Sequence, residues 1–147
     1  MPETGNELLE LSSMFKSLVK KMTHEWNRRM SDSFTMTHFR TLYILNAKGP
    51  QKAADLAETL CVTSGAITGL ADKLIARQLL ERQRSEDDRR VVYLSITQEG
   101  KDVLEQLLNK QRELISLLFQ GLPKEDVEHL KRIFTIMLEH MDQLEKE

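Results

Sequence analysis

Apolar residues recur along this chain at helical spacing far more often than in alternation. Leu8, Leu11, Phe15, Leu18, Met22, Trp26 and Met30 advance in steps of three and four, while Lys16, Lys20, Lys21, Arg28 and Arg29 mostly take other faces. This pattern predicts a long amphipathic helix over 6–30, ended by Ser31-Asp32-Ser33. Thr35 is placed to cap a second helix whose Phe39, Leu42, Tyr43 and Leu45 face a core, and Lys48-Gly49-Pro50 stops it. Residues 53–60 read as a short third helix with Leu56, Ala57 and Leu60 inward. Cys61-Val62 forms the turn, and Thr63 caps a fourth helix running to Arg77 with Ile67, Leu70, Leu74 and Ile75 inward.

Two stretches break the helical rhythm. Residues 79–84 and 91–96 read as strands, the second rich in β-formers, and the polar run Ser85 to Arg90 between them is too long for a tight turn. A projecting loop is predicted there. Thr97 is placed to cap a fifth helix, with Glu99 in its positively polarised first turn. Gly100 in that same turn implies close approach of another backbone. The fifth helix carries Val103, Leu104, Leu107, Leu108, Leu114, Ile115 and Leu118 and ends at Gly121. Pro123 suits the first position of a sixth helix. Val127, Leu130, Phe134, Met137, Met141 and Leu144 then form a heptad seam.

Composition narrows the class. The 147 residues fit one domain, 1–147, and 40% hydrophobic with 30% charged residues describes a soluble globular chain. A single cysteine excludes an internal disulfide and a cysteine-cluster metal site. His24, His38, His129 and His140 share no close ligand spacing, so neither metal nor cofactor is expected. No apolar run approaches the roughly 20 residues that span a bilayer. The acidic, polar start Met-Pro-Glu-Thr-Gly-Asn-Glu does not resemble a signal peptide, and a cytoplasmic protein is expected. The chain holds no phosphate-cradling glycine loop, nucleophile elbow or paired metal-ligand helix, which points away from an enzyme. The net charge of −2 and pI near 6.1 do not announce a nucleic-acid binder, so any basic element must be local.

Such an element exists in the middle of the chain. Two short helices joined by a tight turn and followed by a hairpin make a winged helix-turn-helix: a mainly α fold with a small β-hairpin wing, over 35–96. A recognition helix must be slim where it enters a major groove. Thr63, Ser64, Gly65, Ala66, Thr68 and Gly69 are all small and lie opposite the inward positions, and Lys73 follows them. Hydroxyls and free backbone N–H groups at that helix start suit phosphates and bases. Arg84, Arg89 and Arg90 flank the wing loop, where arginine suits a minor groove, and Asp88 is placed to brace one of them. The same residues also suit a capped surface helix and a solvated loop with local ion pairs. A winged helix used only for protein contacts is the alternative function.

Residues 35–100 resemble the MarR family of bacterial transcription regulators. The resemblance rests on Leu56-Ala57, Val62-Thr63, Asp88-Arg89-Arg90, Ile96-Thr97 and Gly100, and the long flanking helices follow in the same order. Two departures stand out: Cys61 occupies a turn position where the family often has glycine, and Ile96 replaces leucine. Cys61 precedes a helix N-terminus, a setting that can activate a thiol, but it reads as structural. The resemblance implies a homodimer built by helices over 6–30 and 98–146, with Leu8, Leu11, Phe15, Leu130, Phe134, Met137 and Met141 at its interface. It further implies double-stranded DNA with a near-palindromic operator as partner, and no membrane. It also implies repression relieved by a small aromatic or other organic ligand. That pocket is not placed by the sequence; Met14, Met22, Trp26, His38 and Tyr43 lie on helices that could line it, but they read more readily as plain core.

Overall fold

The computed structural model describes residues 5–30 and 34–147. The element order is α1 (Asn6–Arg29), α2 (Met36–Lys48), β1 (Gln51–Lys52), α3 (Ala53–Leu60), α4 (Ser64–Ala76), β2 (Leu80–Arg84), β3 (Val92–Ile96), α5 (Gln98–Leu118) and α6 (Lys124–Glu145). Two units divide the chain, Met1–Gln111 and Arg112–Glu147. No described helix is long and apolar enough to cross a membrane.

The first unit holds the winged helix. Its core is built from the inward stripes of α2, α3 and α4 together with the last turns of α1. Leu42, Leu45, Leu56, Ile67 and Leu74 are fully buried, each worth about 1.5–3 kcal/mol relative to exposure. Trp26 and Met30 are buried as well, and the Trp26 ring packs tilted on Phe39 with centroids 4.9 Å apart. Residues Leu8, Leu11, Phe15 and Leu18 lie on the same stripe of α1 and stay exposed. The stripe is thus one feature with two fates: its C-terminal end is core, and its N-terminal half is uncovered. The end of α1 at Ser31-Asp32-Ser33, anticipated from sequence, lies outside the described residues.

Tyr43 departs from the expectation that it joins the core. It is 51% exposed, while Thr41 is 1% exposed. Thr41 tolerates burial because its hydroxyl donates to the Thr37 carbonyl at 2.8 Å, one turn back. Tyr43 is half exposed and meets Phe39 with ring centres 6.2 Å apart. Spacing alone does not separate these two positions.

The sheet has three strands in the order β1-β3-β2, all antiparallel. Sequence pattern pointed only to the hairpin of β2 and β3. The added strand, β1, is two residues long, pairs Gln51 with Leu94 and Lys52 with Tyr93, and carries no alternation to read. Gly49, at φ +81, supplies the left-handed turn that takes the chain from α2 into β1. Cys61 also sits in the left-handed region, at φ 56 and ψ 44, where it closes α3.

Gly100 makes the close approach that its place in the sequence implied. A Cβ there would overlap the Leu79 carbonyl oxygen and the Ile96 side chain. Around it, the Thr97 hydroxyl donates to the Gln78 carbonyl at 2.7 Å and accepts from the Gly100 N–H at 3.0 Å. The Thr97 N–H donates to the Leu79 carbonyl at 3.1 Å. The second unit comprises the end of α5 and α6. Pro123 is the N-cap of α6 rather than its first helical residue: its ψ of 155 is extended, and its carbonyl accepts from Asp126 and Val127. The heptad seam of α6 is largely exposed, at Val127, Phe134, Met137, Met141 and Leu144.

Two measurements follow from these contacts. In urea unfolding, Gly100→Ala is expected to lose about 1–3 kcal/mol through the backbone collision. Gly69→Ala, whose Cβ meets nothing within 4 Å, is expected to gain up to about 1 kcal/mol from helix propensity. The start of α2 carries a pH dependence. Thr35 and His38 form a capping box in which the Thr35 N–H donates to His38 Nδ1 at 2.9 Å, so that nitrogen must be unprotonated. Burial first, then Lys73 of α4 and Arg77 at its C-cap, push the His38 pKa below its usual value of 6.5. As pH falls through the ordinary histidine range, the unfolded chain takes up a proton that the folded chain resists. Stability should therefore decline from about pH 7 downward and level off below the folded-state pKa. His38→Gln keeps an acceptor without titrating and should flatten that decline; an unchanged slope would refute the assignment.

Candidate nucleic-acid interface

The candidate surface begins at the cap of α4. The Thr63 hydroxyl accepts from the Ala66 N–H at 3.1 Å and so fixes the helix start. Every small residue singled out from sequence (Thr63, Ser64, Gly65, Ala66, Thr68 and Gly69) is exposed, and so is Lys73. The opposite stripe, Ile67, Ala71 and Leu74, is buried. A Cβ built at Gly65 or at Gly69 meets nothing within 4 Å. Close packing against a neighbour therefore does not explain these glycines, and the outer face of α4 is left low and open.

The wing tip is tied down by its own polar groups. The Ser85 hydroxyl accepts from the Asp87 and Asp88 N–H groups, and the Ser85 N–H donates to the Val91 carbonyl. The Asp88 carboxylate accepts from the Arg90 backbone N–H at 3.0 Å and from its guanidinium at 3.1 and 3.3 Å. That pairing, the guanidinium first and the backbone N–H second, holds the Asp88 pKa below the usual carboxylate value. Asp88 is therefore ionised across the physiological range, and the loop keeps its internal brace there. Arg84 donates to the Arg89 carbonyl at 2.8 Å. The Arg90 side chain is 91% exposed although paired. Three arginines thus gather at one tip: Arg84 and Arg90 are held by hydrogen bonds, and Arg89 is exposed with no ion-pair partner among the described residues.

Two features at this surface were not singled out in the sequence. Asp72 of α4 forms an ion pair with Arg82 of β2, joining the helix to the wing. Their separation of ten residues hides the pairing, although an acid on the small-residue face of α4 is a visible oddity. At the C-terminal end of α4, the Arg77 guanidinium lies 4.2 Å over the Phe34 ring, and Phe34 meets His38 edge-on. The end of α4 is thereby set against the start of α2. Of the residues proposed from sequence as a dimer interface, Leu8, Leu11 and Phe15 lie on α1, and Leu130, Phe134, Met137 and Met141 on α6. Met22 is half-buried, Met14 is exposed, and Trp26 and His38 serve the core and the capping box. Cys61 is exposed.

Comparison with known proteins agrees with this geometry. A family model described as MarR family matches residues 34–92, which spans α2 to the start of β3. The HTH-type transcriptional regulator MhqR of Bacillus subtilis is 34% identical over 92 residues, 63% of either chain. The HTH-type transcriptional repressor MdtR of the same organism is 27% identical over 119 residues, 81% of this chain and 75% of that one. The transcriptional regulator BldR from Sulfolobus solfataricus superposes with a TM-score of 0.73 at 28% identity, covering 92% of this chain and 99% of its own. With an open helix face, an arginine-tipped wing and relatives named as transcription regulators, the chain is similar over residues 34–92 to the MarR family, and it is a DNA-binding transcription regulator.

Proposed function

We propose that this regulator is a homodimeric repressor, working in the cytoplasm, that binds a near-palindromic operator and leaves it when a small organic ligand binds. The observation that carries the DNA-reading part is the pairing of Asp72 with Arg82. It links the open face of α4 to the strand that carries Arg84, which supports reading the helix and the hairpin as one surface. In this reading Thr63, Ser64, Gly65, Ala66, Thr68, Gly69 and Lys73 meet a major groove and its phosphates. Arg84, Arg89 and Arg90 reach the adjacent minor groove, with Asp88 holding Arg90 in pose.

The homodimer is supported by apolar surface that a single chain leaves uncovered. Leu8, Leu11 and Phe15 are 42%, 60% and 55% exposed, and Phe134, Met137 and Met141 are 44%, 54% and 57% exposed. Both sets repeat at helical spacing, as helices that pack on other helices do. A two-fold dimer offers two α4 helices to grooves about 34 Å apart, which is why the operator should be a near-palindrome. Repression follows the mode printed for MdtR. Release by ligand works if the ligand favours a dimer whose α4 helices no longer match the groove spacing.

Sedimentation should give twice the 17.1 kDa chain mass, and Phe134→Glu with Met137→Glu should shift the protein toward monomer. Arg89→Ala with Arg90→Ala should weaken binding to a selected operator about tenfold or more and reduce the salt slope by about one or two contacts. A monomeric parent at micromolar concentration would end the dimer reading. An unaltered salt slope would remove the two arginines from the interface.

A further inference from the structure

We propose that Asp72 and Arg82 are positioning residues whose ion pair sets the angle between α4 and the wing and neutralises a carboxylate on the DNA-facing side of α4. The inference rests on the DNA-reading role given above and goes beyond it.

Helix geometry places Asp72 on the open face. It follows Gly65, Thr68 and Gly69 by seven, four and three residues, the spacings that stack side chains on one side of a helix. An unneutralised carboxylate there repels a phosphate backbone. Arg82 answers that charge: its guanidinium donates to the Asp72 carboxylate. The pairs Glu25–Arg28, Glu25–Arg29 and Asp88–Arg90 each lie within one helix or one loop, whereas this one joins two elements.

The strand supplies the second half of the argument. Leu80, Arg82 and Arg84 alternate onto one face of β2. Leu80 is buried in the core, Arg82 holds Asp72 on α4, and Arg84 holds the Arg89 carbonyl at the wing tip. One strand face thus reaches in three steps from core to helix to tip. Both partners are about half exposed, at 59% for Asp72 and 47% for Arg82. Pairs so exposed add little to fold stability. The pair's consequence therefore lies in the pose of the wing, where a small change of angle carries Arg89 and Arg90 away from a groove.

The test uses a duplex enriched by the parent protein from a random-sequence pool, and a scrambled duplex of the same composition. Binding of both is measured by fluorescence anisotropy at one ionic strength for the parent, Asp72→Asn, Arg82→Gln and the double variant. Charge alone would make Asp72→Asn bind both duplexes more tightly, because an acid has left the surface. Positioning predicts the opposite for the enriched duplex: a loss of about tenfold with the scrambled duplex unchanged or tighter. The double variant should lose no more than Arg82→Gln alone, because both changes break the same pair. Asp72→Glu keeps the charge and should retain most of the discrimination. Unchanged discrimination in Asp72→Asn overturns the proposal, and so do losses that add in the double variant, which would make Arg82 an independent phosphate contact. A parent that enriches no sequence overturns the operator reading together with this one, whereas parent-like variants overturn this one alone.

Discussion

The backbone of Leu79 is the point on which the candidate DNA-reading surface depends. Its carbonyl accepts from Thr97 and lies against Gly100, while Thr97 also reaches the Gln78 carbonyl. The end of α4, the start of β2 and the first turn of α5 are thereby joined in a space too tight for any side chain at position 100. From that junction β2 runs outward in fixed register with β3, Leu80 against Ile96 and Arg84 against Val92. The direction of the wing and the direction of α5 are set by the same few hydrogen bonds.

Outward from this junction the lobe trades side-chain bulk for access. Helix α4 buries Ile67, Ala71 and Leu74 and leaves threonines, serine, alanine and glycines on the other side. Glycine inside a helix costs about 0.5–1 kcal/mol relative to alanine. Two such residues, Gly65 and Gly69, sit where no neighbour needs their smallness. The lost propensity is balanced by tertiary packing of the inward stripe and by the Thr63 cap. The wing follows the same logic. Its loop commits Asp88 and Ser85 to internal bonds, on a chain whose net charge is negative.

The long helices show why a chain of near-average composition still carries unsatisfied apolar surface. The stripe of α1 is core at Trp26 and Met30 but exposed from Leu8 to Leu18, and the seam of α6 is exposed along most of its length. A monomer gains nothing from such rows in water, where each buried methylene is worth about 0.8 kcal/mol. The proposed homodimer would give these rows a use.

Much of this was legible in the residues alone, because local chemistry decides it. Helical spacing placed all six helices, Thr35, Thr63 and Thr97 marked three helix starts, and Gly100 announced a close backbone contact. The small residues of α4 and the arginines of the wing were equally plain, since their types and order carry their exposure. Tertiary structure alone decided the rest. It excluded Tyr43 from the core in favour of Thr41, whose hydroxyl is satisfied within its own helix. It added β1, a strand too short to leave a pattern. It paired Asp72 with Arg82, because a contact between a helix and a strand depends on how the chain returns in space, and no periodicity along the sequence records that return.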